Sequence, residues 1–351
     1  MRIAQVAPLT EAVPPKLYGG TERVVSWITE ELVEMGHDVT LFASGDSITS
    51  AKLEAFWPKA LRLDGSVRDP NALHLLMLEH IRNQAKDFDF LHFHLDYYPF
   101  SLFLRQPTPF LTTWHGRLDL PEHQPLFQTF PTAPLVSISD AQRKPVPQGN
   151  WVRTVYHGLP ERLFTPQPVN PGYLAFLGRI APEKAVDRAI RIAVRCGLPL
   201  KIAAKIDAVD RDYFTTEIKP LLDQPGIEYI GEIGDREKAT FLSGAIALLL
   251  PIDWPEPFGL VMIESMACGT PVIGFHAGSV PEVVEDGLTG YIVKDETGAV
   301  AAVGRIGELS RERVRRRFEE RFTARRMVQE YLDVYRSLMA SETPHLRVVS
   351  A

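Results

Sequence analysis

Short apolar runs alternate along the chain with stretches whose apolar residues recur every three or four positions. Residues 3–7 read as a first strand. In 22–35 the apolar positions Val24, Val25, Ile28 and Leu32 mark one helix face, and Gly36 follows as its C-terminal cap. Strands are expected at 39–43, 88–93, 110–114 and 135–138, with a helix at 72–84. The segment 160–172 holds four prolines and little periodicity, so it reads as a linker. Beyond it the alternation restarts, with strands at 173–177, 200–204, 227–230, 245–250, 271–275 and 290–293. Helices are expected at 185–196, 214–222, 236–242 and 260–267. The pattern predicts an α/β fold of two doubly wound, Rossmann-like domains with parallel sheets. In such sheets ligands sit beyond the carboxyl ends of the strands.

Composition narrows the class. At 351 residues the soft prior is two domains, and 45% apolar with 23% charged residues is an ordinary globular balance. Two cysteines, Cys196 and Cys268, exclude a disulfide framework and a cysteine-based metal site. A net charge of −6 argues against bulk attraction to nucleic acid. The apolar run 245–252 is far shorter than a membrane span, and the amino-terminal run is too interrupted for a signal peptide. A soluble cytoplasmic protein is expected, with peripheral membrane contact left open. The stretch 311–339 reads as one charged helix whose arginines form a solvated face, with Glu312 and Arg316 at ion-pair spacing.

The familiar phosphate loops are missing. No Gly-x-Gly-x-x-Gly follows the first strand, and there is no Gly-x-x-x-x-Gly-Lys-Ser/Thr run. A long proline-containing loop instead ends in Gly19-Gly20-Thr21-Glu22 at a helix start, where backbone amides can approach an anion. The segment 253–264 combines more features. Glu256 sits in a loop after an apolar strand, Phe258-Gly259-Leu260 opens a helix, and Glu264 lies about one turn into it. Amides at Gly259 and Leu260 suit a phosphate, and Glu264 offers a bidentate acceptor for a ribose diol.

With these motifs the chain resembles the retaining nucleotide-sugar glycosyltransferases of family 4, of GT-B architecture. Glu-Pro-Phe-Gly-Leu-Val-Met-Ile-Glu over 256–264 is similar to the family's Glu-x7-Glu region, and Gly278-Ser-Val-Pro-Glu and Asp286-Gly-Leu-Thr-Gly to the elements after it. Phe176-Leu-Gly-Arg-Ile-Ala-Pro-Glu-Lys184 resembles its Gly-Arg-x4-Lys pattern. The resemblance implies two facing domains, 1–160 on the acceptor side and 161–325 on the donor side, with 326–351 crossing back to the first. It implies Arg179 and Lys184 as diphosphate clamps, Glu264 as ribose ligand, Glu256 as a donor-sugar contact, and Gly20 as an amide contact from the other domain. It implies that His115, in Thr-Thr-Trp-His-Gly-Arg, contacts the donor sugar, and it favours His94 for the acceptor side. Catalysis is thus expected to involve His115, Glu256, Arg179 and Lys184. The donor is expected to touch Gly19, Gly20, Arg179, Lys184, Glu256, Phe258, Gly259, Leu260 and Glu264.

The resemblance implies transfer of a hexose, glucose by preference, from UDP-glucose to a hydroxyl acceptor. Neither cofactor nor metal is expected. Asp87-Phe-Asp89 is similar to the metal-binding Asp-x-Asp of the other major glycosyltransferase architecture, but it precedes a strand and reads as a turn. His92-Phe-His94 lacks the further ligands of a metal site. Residues 14–25 and 41–46 also resemble bacterial sequences labelled as UDP-glucose:tetrahydrobiopterin glucosyltransferases. Ala185 stands where the family often has Gly, and Tyr156-His157-Gly158 replaces a frequent Asn-Gly. The alternatives are a non-catalytic nucleotide-sugar binder and an epimerase or phosphorylase of the same fold.

Overall fold

The computed structural model describes residues 1–16 and 19–342. The chain forms two compact units. The first comprises Met1–Ile138, Arg143–Tyr156 and the described residues from Ala324 on, and the second comprises Ser139–Gln142 and His157–Thr323. The carboxyl-terminal helix therefore belongs with the amino-terminal sheet.

In the first unit the strands are β1 (Arg2–Val6), β2 (Asp38–Ser44), β3 (Lys52–Trp57), β4 (Phe90–Phe93), β5 (Phe110–Thr113), β6 (Leu135–Ser137) and β7 (Trp151–Thr154). They make one parallel sheet in the order β3-β2-β1-β4-β5-β6-β7. The second unit has β8 (Tyr173–Arg179), β9 (Leu200–Lys205), β10 (Ile227–Gly231), β11 (Ala245–Leu250), β12 (Val272–Phe275) and β13 (Gly290–Val293), in the parallel order β10-β9-β8-β11-β12-β13. Both sheets are Rossmann-like. Strand order reverses between β1 and β4 in one and between β8 and β11 in the other, and such switch points are where doubly wound sheets open a crevice. The central strands are buried on both faces, which is why they read as continuous apolar runs.

Several expectations need correction. Strands β3 and β7 are absent from the sequence reading. Both are sheet edges, so their residues alternate with charges such as Lys52, Glu54 and Arg153 and do not form apolar runs. The helix expected at 214–222 breaks into a helical turn Arg211–Tyr213, a wide turn Phe214–Ile218 and a tight one Lys219–Leu221. Pro220 has no N–H to continue a regular helix. The segment 160–172 is not a free linker but packs within the second unit, where the Gly172 N–H donates to Gly244 O at 3.0 Å and that of Gln167 to Ser243 Oγ at 3.0 Å.

The stretch 311–339 is two helices, Arg311–Arg321 and Ala324–Glu342. Between them the Leu159 N–H donates to Phe322 O at 2.9 Å, and Leu159 bridges Thr323 in strand fashion. The arginines here do not form a uniformly solvated face. Arg315 donates to the carbonyls of Phe164 and Ala267 at 2.7 Å each, Arg317 and Arg321 converge on Glu285 Oε1, and Arg326 donates to Tyr156 O at 2.7 Å. The anticipated Arg316–Glu312 pair forms at 3.2 Å between exposed side chains, where such pairs contribute little. Among the described residues no helix is long and apolar enough to cross a membrane.

Candidate functional site

The second unit gathers most of the expected donor residues at its switch point. Strand β8 ends on Arg179, whose guanidinium pairs with Glu183 and lies 3.7 Å from Asp207 and 3.6 Å from Asp210. A short turn, Pro182–Lys184, then delivers Lys184. Its ammonium pairs with Glu256 Oε2 and lies 4.9 Å above the Trp254 ring. The Trp254 indole N–H donates to the same carboxylate oxygen at 3.0 Å. Ala185, which stands where the family often has Gly, holds the left-handed conformation with φ 52° and ψ 51°. The turn geometry is that of a glycine, built on alanine.

After β11 the loop carrying Glu256 is pinned from several directions. The Ser279 N–H donates to Glu256 O at 2.9 Å, and Ser279 Oγ donates to Phe258 O at 2.8 Å. Ser139 Oγ donates to Pro257 O at 2.6 Å and accepts from the Gln142 N–H at 3.0 Å, capping the short helix Asp140–Arg143. Gly278 sits so close that a Cβ there would meet Glu256 N and O at 2.3 Å. The Phe258 ring is buried edge-on against His157, with centroids 4.9 Å apart. Gly259 turns left-handed (φ 78°, ψ 73°) to open the helix Leu260–Ala267 and offers no capping side chain. That leaves first-turn N–H groups for an incoming acceptor. Glu264, 2% exposed, takes the Lys238 ammonium on Oε1 at 2.8 Å. Its Oε2 is buried with no hydrogen-bond partner, an uncommon state for a carboxylate oxygen.

The other expected residues lie in the first unit. Gly19 precedes the helix Gly20–Glu34, and a Cβ on it would stand 2.8 Å from the Pro15 Cβ. In that helix's first turn the buried Glu22 is pushed up to about 7, chiefly by burial and further by Glu11, against the pull of Arg62. His115 follows β5, and its Nε2 lies 2.8 Å from His94 Nδ1. His94 Nε2 in turn meets Gln5 Oε1 at 2.9 Å. Burial lowers His115 to about 3 and holds His92 well below its ordinary value. Asp87 and Asp89 lie just before β4, where Asp89 Oδ1 accepts from Arg2 Nη2 at 2.8 Å and from Arg2 Nε at 3.2 Å, a structural pairing. Among the described residues no group of three His, Cys, Asp or Glu is arranged to hold a metal ion.

Comparison with known proteins accords with both halves. Residues 161–325 match the family described as "Glycosyl transferases group 1", and 18–166 match "Glycosyltransferase Family 4". The chain belongs to the family 4 glycosyltransferases. Its relatives include a D-inositol 3-phosphate glycosyltransferase of Saccharomonospora viridis, 30% identical over 54% of this chain and 51% of that protein. An alpha-maltose-1-phosphate synthase of Mycolicibacterium smegmatis is 28% identical over 49% of each. The chain thus spans about half the length of these relatives. In fold it is similar to a sucrose-phosphate synthase of Thermosynechococcus elongatus, with TM-score 0.78 at 18% identity over 97% of this chain and 99% of that one. It is also similar to the Anabaena protein HepE solved with UDP and glucose, with TM-score 0.73 at 16% identity over 96% and 99%. The fold is GT-B.

In each unit the structure also sets residues beside the expected ones that sequence reasoning missed. Lys238 lies 26 positions from Glu264, and no motif marks it. No motif marks Asp207 and Asp210, which lie beside Arg179. Asp96, two positions after His94, is a non-glycine residue in left-handed backbone (φ 48°) whose carboxyl is raised by burial to about 6. Gln5, Tyr331 and Tyr335 carry no motif at all.

Proposed function

We propose that this family 4 chain is a retaining hexosyltransferase that moves glucose from UDP-glucose to a hydroxyl acceptor without a metal ion. The observation that carries the reading is the gathering of Arg179, Lys184, Glu256, Gly259 and Glu264 at one switch point of one unit, with Glu264 Oε2 buried and unpartnered. A diol can donate to that oxygen. A diphosphate can take the cations now paired with carboxylates, and the first-turn amides beyond Gly259. As the glycosidic bond breaks, the leaving diphosphate gains charge, and pre-placed cations and amides stabilise it more than the ground state. No protein nucleophile is required in this reading. The acceptor hydroxyl attacks from the face the diphosphate leaves, and a phosphate oxygen takes its proton.

The relatives named for transfer to inositol phosphate and for maltose 1-phosphate synthesis, and the HepE structure with UDP and glucose, support the same substrate class. A cytoplasmic location is part of the proposal and rests on composition alone. A donor screen tests the transferase reading by measuring nucleotide release from UDP- and GDP-sugars, with and without EDTA. Release from UDP-glucose that survives EDTA is expected. Strict dependence on added Mn²⁺ would count against it, as would preference for a GDP-sugar.

A further inference from the structure

Trp254 stands where Lys184 and Glu256 meet. The chain leaves β11 through the buried Pro251 and Ile252, and the loop is then fixed at Asp253. The Asp253 N–H donates to Glu183 O at 3.0 Å, and its carboxylate pairs with Arg188 at 2.7 Å. Trp254, Pro255 and Glu256 form a tight turn, in which the Glu256 N–H donates to Trp254 O at 2.9 Å. Pro255 has a fixed φ and stiffens that turn. The half-buried indole therefore lies beside the carboxylate by local geometry, and its N–H donates to Glu256 Oε2 at 3.0 Å. Lys184 reaches the same oxygen from a different loop, and its ammonium stands 4.9 Å from the centre of the Trp254 ring. One ring thus holds a carboxylate with its edge and a cation with its face.

The two partners of Glu256 differ in what a diphosphate would do to them. An ammonium is a point charge on a flexible stem, and a diphosphate competes for it directly. The indole N–H is neutral and already aimed at Oε2 from within the same turn as the carboxylate. When Lys184 turns toward a diphosphate, Glu256 loses its cation while only 10% of its side chain is exposed. A buried carboxylate without a partner is costly. The indole N–H is the donor that stays. Both hydrogen bonds to this carboxylate among the described residues fall on Oε2, so the group is held by one oxygen and presents the other.

We propose that Trp254 is a positioning residue that holds Glu256 in place for the donor's sugar once the diphosphate has drawn Lys184 away. Recognition of the sugar then passes through the indole N–H, and recognition of the bare nucleotide does not. The nucleotide needs Arg179, Lys184 and Glu264, whereas the sugar also needs an oriented Glu256. The inference rests on the proposed function and adds to it a residue that separates affinity for UDP-glucose from affinity for UDP.

Calorimetric titration of the full chain with UDP and with UDP-glucose tests it in wild type, Trp254→Phe, Glu256→Ala and the double variant, each first shown to melt cooperatively. Phenylalanine keeps an aromatic face for Lys184 and removes the N–H. Trp254→Phe should weaken UDP-glucose about tenfold or more, as expected for one hydrogen bond to a charged group, and UDP by no more than about twofold. In the Glu256→Ala background it should weaken UDP-glucose no further. Equal losses for UDP and UDP-glucose would overturn the proposal, as would unchanged affinity for both or a further loss without Glu256. A wild type that binds neither ligand would instead overturn the proposed function, and this inference with it. Should Trp254→Phe fail to fold, exchange of the Trp254 indole proton in the wild type decides. It is followed by ¹⁵N–¹H correlation and assigned among the five tryptophans by its absence in Trp254→Tyr. It should stay slow when UDP saturates the protein, and exchange at the rate of a free indole would overturn the proposal.

Discussion

Lys184 and Glu256, the cation expected on a diphosphate and the carboxylate expected on a sugar, are paired with each other, and Trp254 donates to the shared carboxylate oxygen at 3.0 Å. The pair is mostly buried, with side chains 20% and 10% exposed. A ligand that takes the ammonium leaves Glu256 free to accept from hydroxyls, so the two sides of the site respond to one another. The effects of Lys184→Ala and Glu256→Ala on donor affinity should therefore be non-additive, with a coupling of about 1–3 kcal/mol in a double-mutant cycle. Additive losses would mean that the pair acts as two separate groups.

The Glu256 loop depends on Gly278. Its backbone is left-handed (φ 51°), and a Cβ there would meet Glu256 N and O at 2.3 Å. Gly278→Ala should cost about 2–5 kcal/mol of stability and weaken donor binding, through strain plus steric displacement of the loop. Gly287 is the control, because its φ is 75° but nothing lies within 4 Å of a Cβ. Gly287→Ala should cost only about 1–2 kcal/mol and leave donor binding unchanged. Denaturant unfolding and calorimetric titration read both quantities.

Ala185 holds a left-handed conformation between Lys184 and the helix Val186–Cys196. Replacing it by glycine removes the Cβ strain at the cost of some unfolded-state entropy. Ala185→Gly should stabilise the protein by up to about 1 kcal/mol. A measurable loss of stability would show that the buried methyl packs well enough to outweigh the strain.

Glu22 gives stability a pH dependence whose sign is fixed. Its ordinary value is 4.5 and its folded value about 7, raised first by burial. Between these values the unfolded chain has released the proton and the folded chain keeps it. Stability contributed by the neutral carboxyl is therefore present below pH 4.5 and lost as pH rises through about 7. The loss should amount to roughly 3 kcal/mol at most. Glu22→Gln should flatten the melting temperature between pH 5 and pH 8 relative to wild type, roughly in proportion to that shift. Parallel pH profiles for the two proteins would contradict this assignment.

Much of the fold was legible because parallel strands buried on both faces leave apolar runs, as at Ala245–Leu250, and because loops that meet ligands carry local motifs. What escaped reading did so for physical reasons. The edge strands Lys52–Trp57 and Trp151–Thr154 alternate because one side of an edge faces water. The split of the last helix depends on a distant partner, Leu159, which periodicity cannot register. In the site, Glu256, Gly259 and Glu264 were visible because they share a loop and a helix. Lys238 and the Gln5–Tyr335 contact were invisible because tertiary packing alone brings them together.

The central claim is that the second unit binds a nucleoside-diphosphate sugar around Glu264. Titration calorimetry of UDP-glucose against wild type, Glu264→Ala and the Arg179→Ala/Lys184→Ala double variant, each first shown to melt cooperatively, tests it most directly. Saturable one-site binding by the wild type is expected, weakened by about tenfold or more in Glu264→Ala, since the buried acceptor for the diol is gone. It should be weaker still in the double variant. Equal binding by all three folded proteins, or no binding by the wild type, would contradict the account.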